Sequence, residues 1–140
     1  MHKLTWSPRF AIGNALIDAE HQTLIRLYMV LHDAIFAGTT GMELWEHLFA
    51  LTTHTEQHFL HEEGAMRDMG YPGLVRHTEV HKYLLRELAD ITLAHGDNIE
   101  QVSTKTLDYL NEWLLNHILG EDLLFGTWVR QQGLRDKGGS

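Results

Sequence analysis

The chain has no cysteine among its 140 residues, so no disulfide can staple it, and any metal it holds must be held by nitrogen and oxygen. Proline is almost as scarce, at two residues, which leaves long stretches free to run as uninterrupted helix. No run approaches the roughly 20 apolar residues that a membrane helix needs, and Met1 to Phe10 lacks the apolar stretch of a signal peptide. Basic residues are outnumbered, 11 Lys and Arg against 19 Asp and Glu, for a formal charge of −8. Such a surplus repels phosphate backbones and anionic lipid surfaces. The expectation is a cytoplasmic protein with no nucleic-acid partner and no membrane insertion.

What the chain does have is apolar content in a helical rhythm. With 44% hydrophobic residues it fits one domain, residues 1–140, able to bury a core without staples or a partner. From Ala19 to about Ala37, Leu24, Ile25, Leu27, Tyr28, Leu31 and Ile35 recur at three- and four-residue steps, behind Asp18 as the N-cap. Gly38 to Gly41 breaks the pattern, and a second amphipathic run extends from about Met42 to Met66. Beyond the turn signal Gly70-Tyr71-Pro72-Gly73, a third run spans Leu74 to about His95. After Gly96-Asp97-Asn98 a fourth spans Ile99 to about Leu119, stopped by Gly120, and a short tail helix covers Glu121 to about Gln131. Four helices of about 20 residues on short connections favour antiparallel neighbours. The predicted fold is therefore all-α, an antiparallel up-down-up-down four-helix bundle. An N-terminal arm, residues 1–17, packs through Trp6, Phe10 and Ile12; bundle and tail helix occupy 18–132, and 133–140 form a flexible end.

Histidine is over-represented, at 11 residues, and its spacing carries the information. Residues four apart on an α-helix lie about 40° apart around the axis, one turn along, so such pairs can converge on one ion. The second helix offers His58 and Glu62 in this relation; the third offers His77 and His81. The first adds His21 and the fourth His117. In an antiparallel bundle His21 falls near the start of its helix, His58 and Glu62 near the end of theirs, His77 and His81 near a start and His117 near an end. All of them share one end of the bundle, which points to a shared metal site. No Glu-x-x-His occurs, which separates the chain from ferritin-like di-iron bundles.

The order His, then His-x3-Glu, then His-x3-His, then His-x4-Asp, spread over nearly the whole chain, resembles the hemerythrin pattern. Trp6, Asp18-x-x-His21, His58-Phe59-x-x-Glu62-Glu63-x-x-Met66 and Trp113-Leu114-x-x-His117-Ile118-x-x-x-Asp122 are similar to its bacterial branch. The resemblance implies two iron ions, ferrous or ferric, joined by a bridging hydroxide or oxide. His77, His81 and His117 would hold one and His21 and His58 the other, with Glu62 and Asp122 bridging them and dioxygen as the ligand. It also implies an oxygen pocket walled by Leu24 or Ile25, Phe59, Trp113, Leu114 and Ile118. His54, where the family often carries Tyr, is a candidate to line the site. The last bridge poses a geometric question, since residues five apart on a continuous α-helix are about 140° apart. An unbroken helix nominates Glu121 instead of Asp122; a helix ending at Gly120 lets Asp122 swing back.

The function so implied is reversible dioxygen binding for carriage, storage or delivery, not enzymatic turnover, with an oxygen-consuming or signalling protein as a possible partner. Two further readings use the same centre: an oxygen or redox sensor module, and an enzyme with peroxidase-like, nitric-oxide or iron-detoxifying activity. A zinc or metal-free structural bundle is the fourth. His2, His32, His47, His61 and His95 are read as surface or packing residues.

Overall fold

In the computed structural model, residues 5–39, 41–96 and 104–138 are described, with the side chains of 91–96, 104–106, 115, 118, 119 and 134–138 outside that description. A short 3-10 turn, Pro8–Phe10, precedes helices α1 (Ala15–Phe36), α2 (Gly41–Met69), α3 (Leu74–Gly96), α4 (Thr104–Asn116) and α5 (Leu123–Gly138). α4 and α5 are joined by a π-helical turn, His117–Asp122. The helix α1 packs on α2 and α4, and α2 packs on α3. This is the expected four-helix bundle with an arm and a C-terminal helix, and no helix among the described residues is long and apolar enough to cross a membrane.

The helix ends follow local chemistry, and they correct several expected boundaries. Asn14, not Asp18, caps α1: its side chain accepts from the Ile17 N–H at 3.1 Å. Asp18 lies one turn inside, where its carboxylate accepts from the backbone N–H groups of Ile12 and Gly13 and ties the arm to the helix. The helices α1 and α2 both end in a glycine of positive φ, Gly38 at 79° and Gly70 at 71°. The Thr39 N–H bonds to Ala34 O and the Tyr71 N–H to Met66 O, each at 2.9 Å, the Schellman pattern that satisfies the last carbonyls. α2 thus runs to Met69, one turn beyond Met66, because Arg67 and Asp68 are exposed and helix-compatible. The expected start of the fourth helix at Ile99 and the Gly96-Asp97-Asn98 turn fall largely outside the described residues.

Two further expectations fail at the C-terminal end. Gly120 does not stop the fourth helix, and α5 continues past Gln131 to Gly138, so residues 133–138, expected as part of a flexible end, are helical. Neither Gly120 nor Gly133 has a positive φ. Glycine within a helix costs only about 1 kcal/mol relative to alanine, and no proline follows to enforce a break.

The core has two parts. The larger lies in the bundle body around Leu24, Tyr28, Leu31, Leu48, Leu51, Leu88, Leu107 and Leu110. The smaller caps one end: Ile12 of the arm, Ile17, Met66 and Phe125 are buried, with Tyr71, Leu74, Leu123 and Trp128 packed against them. Trp6 and Phe10 of the arm join the larger cluster. The bundle's histidine-bearing end is thereby closed by arm, turn and tail helix.

Candidate metal centre

The helices α1, α2 and α3 and the π turn that follows α4 deliver ligand-type side chains to one buried point. The Nε2 atoms of His21, His58, His77, His81 and His117 converge there with the carboxylates of Glu62 and Asp122, and all seven residues are buried. Their ligand atoms form two overlapping groups: His21, His58, Glu62, His117 and Asp122, and Glu62, His77, His81, His117 and Asp122. Within each group the atoms all lie within 4.8 Å of one another.

Glu62 spans the two groups. Its Oε1 lies 2.5 Å from His77 Nε2 and 3.1 Å from His81 Nε2, while its Oε2 lies 3.1 Å from His58 Nε2 and 3.6 Å from His21 Nε2. Asp122 divides less sharply: Oδ2 stands 2.7 Å from His21 Nε2 and 2.9 Å from His117 Nε2, and Oδ1 stands 3.1 Å from His77 Nε2. His117 therefore sits between the groups, in reach of both carboxylates.

The i to i+5 relation of His117 and Asp122 is reconciled by the π turn. Hydrogen bonds of the i→i+5 type widen the helix, so residues five apart return to nearly the same face. Asp122 reaches the centre without a helix end at Gly120, because the continuous but widened helix achieves the same convergence. Glu121 instead points outward, with Oε1 3.0 Å from the guanidinium of Arg76.

Donor chemistry and satisfaction both fit a metal. Six of the eight buried side-chain atoms without a hydrogen-bond partner among the described residues belong here: His21 Nδ1, Glu62 Oε2, His117 Nδ1 and Nε2, and both oxygens of Asp122. Four of them, His117 Nε2, Glu62 Oε2 and the two Asp122 oxygens, have close but poorly directed neighbours, the arrangement of atoms that face a common ion rather than each other. The His21 and His58 Nε2 atoms even face one another at 3.0 Å. Two carboxylates at 0% exposure need compensating positive charge. An all-nitrogen and oxygen set of imidazoles and carboxylates suits a first-row transition ion such as iron.

In the metal-free chain that compensation comes from protons. Burial opposes charge on every imidazole, yet Asp122 with Glu20 and Glu62 pushes His58 well above its usual range. The Asp122 and Glu62 carboxylates likewise raise His77 and His117 to about 9. At His81 burial wins, and its pKa falls. Burial also works against ionised Glu62 and Asp122, but the His117 and His21 rings hold both carboxyls well below the usual carboxylate range.

Leu24, Ile25, Phe59, Trp113 and Leu114 are all buried in the larger core cluster. Phe59 stacks on His81 with ring centroids 3.7 Å apart and 2° between planes, and Trp113 stacks on His117 at 6.1 Å and 22°. The side chain of Ile118 lies outside the described residues. A cavity of about 300 Å³ opens between α3 and α4, reaching Trp113 and His117 past Tyr83, Glu87 and Glu112.

The sequence profile described as Hemerythrin HHE cation binding domain matches residues 12–129. The chain belongs to the hemerythrin family. It is 30% identical over 133 residues to the bacteriohemerythrin of Stenotrophomonas maltophilia, covering 93% of this chain and 84% of that protein. It is 29% identical to the bacteriohemerythrin of Methylococcus capsulatus, with 90% and 96% covered. Hemerythrin subunit 2 of Golfingia vulgaris is 30% identical over 114 residues, with 81% and 82% covered. The crystal structure of wild-type hemerythrin superposes with a TM-score of 0.79 at 29% identity, covering 89% of this chain and 95% of that one.

One sequence reading within this hemerythrin fold needs correcting. His54 does not line the centre; it is exposed, and the buried residue one turn before the ligand face is Thr55, whose hydroxyl donates to Leu51 O. His61 lies on the surface as expected, and it also has a partner there: its Nδ1 lies 2.5 Å from Glu20 Oε2, and Glu20 Oε1 lies 3.0 Å from His58 Nδ1. Glu63 does the same for His81, at 2.9 Å. Glu20 and Glu63 went unremarked in the sequence as partners, although each directly adjoins a ligand-type residue, His21 and Glu62.

Proposed function

We propose that the chain holds two iron ions in this centre and binds dioxygen there reversibly, as an oxygen carrier, store or delivery protein. The supporting observation is the convergence of five imidazole Nε2 atoms and two carboxylates in two overlapping groups within one buried point, where His117 Nε2, Glu62 Oε2 and both Asp122 oxygens have no hydrogen-bond partner among the described residues. Membership of a family described by cation binding supports the same reading. His77, His81 and His117 would hold one ion and His21 and His58 the other, with Glu62 and Asp122 between them.

When bound, two ferrous ions would supply the electrons that reversible uptake of dioxygen requires. The protein's part is binding, orientation and exclusion. Glu62 places one oxygen on each side of the centre, which fixes the spacing of the two groups. Neutral imidazoles in excess over carboxylates give a site of low negative charge, which favours binding over oxidative chemistry. Leu24, Ile25, Phe59, Trp113 and Leu114, with Ile118 as an expected sixth, make an apolar wall that keeps water out.

The test is an anaerobic titration of the reduced, iron-loaded protein with oxygen, followed optically and paired with metal analysis. Two irons per chain are expected, with a visible charge-transfer band that appears with oxygen and disappears on its removal. Fewer than two irons, or irreversible bleaching on first exposure, would sink the proposal.

A further inference from the structure

An imidazole that offers Nε2 to a metal must carry its proton on Nδ1, and an acceptor at Nδ1 both fixes that tautomer and makes the ring a better donor. Four of the five rings show a division. His58 and His81 have carboxylate acceptors, Glu20 at 3.0 Å and Glu63 at 2.9 Å. The Nδ1 atoms of His21 and His117 have no partner among the described residues. Each side of the centre thus contains one anchored ring and one unanchored ring.

The two anchors differ in what lies behind them. Glu20 of α1 reaches across to α2, and its second oxygen is held by His61. Exposure rises outward along this chain: 1% for the His58 side chain, 19% for Glu20 and 51% for His61. A carboxylate held at both oxygens by imidazole nitrogens has little rotational freedom.

We propose that Glu20 is a positioning residue for the two-histidine side of the centre, fixing His58 with Nε2 directed inward, and that His61 is the outer anchor that holds Glu20 in place. The proposal rests on the two-ion reading above. Loss of Glu20 frees the His58 ring to rotate and to exchange tautomers, which weakens the ion on that side alone. Glu63 plays the corresponding part for His81, so the two carboxylates address the two ions separately.

The experiment is a zinc titration of the full chain by calorimetry, together with long-range nitrogen correlation spectra of the imidazoles, for the unsubstituted protein, E20A, E20Q, H61A and E63A. Zinc is the probe because it is diamagnetic and takes no part in redox chemistry. E20A is expected to weaken one of two zinc ions by roughly 10–100-fold and to disturb the His58 ring pattern. E20Q, whose amide oxygen still accepts from His58, should recover most of that loss. H61A, altering only an exposed side chain, should cause a smaller loss on the same ion, and E63A should weaken the other. A stoichiometry below two in the unsubstituted chain would count against the two-ion reading, and the His58 nitrogen pattern then decides on Glu20 alone. E20A and H61A with an unchanged His58 pattern overturn the Glu20 proposal, whatever the stoichiometry.

Discussion

His117 and Asp122 are five residues apart on a helix that does not break between them, and yet Nε2 and Oδ2 meet at 2.9 Å. The π turn makes this possible by returning the fifth residue to the starting face. It also turns Glu121, the neighbour that a regular helix would have chosen, toward Arg76.

The two acids should therefore respond oppositely to removal. Asp122→Ala is expected to abolish tight binding of at least one iron. Glu121→Ala breaks only a pair with an Arg76 side chain that is 74% exposed, should change stability by about 0–1 kcal/mol, and should leave both irons in place. Metal analysis after dialysis separates them, and iron lost from Glu121→Ala but not from Asp122→Ala would reverse the assignment.

A second expectation concerns pH and metal loading. In the metal-free chain His77 and His117 have pKa values raised to about 9, so their contribution to stability is full below about 6.5 and is lost as pH rises through about 9. Glu62 and Asp122 have depressed values, so theirs is present above the ordinary carboxylate range and is lost on acidification. The metal-free protein should be most stable between these windows, near pH 5–6 by these ordinary ranges, and weaken toward pH 9. Metal requires neutral rings, so loading at pH 7 should release protons from His58, His77 and His117. Urea midpoints across pH, and calorimetry in buffers of different ionisation enthalpy, check both halves. A metal-free midpoint that climbs from pH 6 to 9 would contradict the assignment.

Phe59 is buried and lies flat on the His81 ring. Replacing it with alanine removes that support and leaves a void beside the centre, at a cost of roughly 3–5 kcal/mol. The thermal or urea midpoint of the metal-free chain should fall accordingly. His54→Ala, at an exposed position of the same helix, should stay within about 0.5 kcal/mol of the parent.

Gly126 is where the tail helix meets the arm. A Cβ there would stand 2.9 Å from Ile12 Cβ, 3.0 Å from its carbonyl oxygen and 3.1 Å from its Cα. Two of those three are backbone atoms, and the Ile12 N–H is itself tied to Asp18 at 2.8 Å. Gly126→Ala should thus cost about 1–3 kcal/mol through overpacking, against the small gain alanine normally brings to a helix. An unchanged urea midpoint would show that the arm moves aside freely.

What the sequence determined by itself was whatever depends on helical period. Spacings of four put His58 with Glu62 and His77 with His81 on common faces, and antiparallel order brought His21 and His117 to the same end, because a regular helix converts sequence distance directly into angle and height. Tertiary structure decided what breaks or crosses that period. No local rule marks His117–Asp122 as the place where a helix widens, since the alternative is a regular helix with good residues of its own. Asn14 rather than Asp18 became the cap because Asp18 was taken up by the arm's backbone. His54 and His61 differ by seven residues and so share a face, yet only His61 has Glu20 opposite it. Which side chain on a neighbouring helix meets a histidine depends on the height and rotation of two packed helices, and the sequence of either helix alone does not contain that.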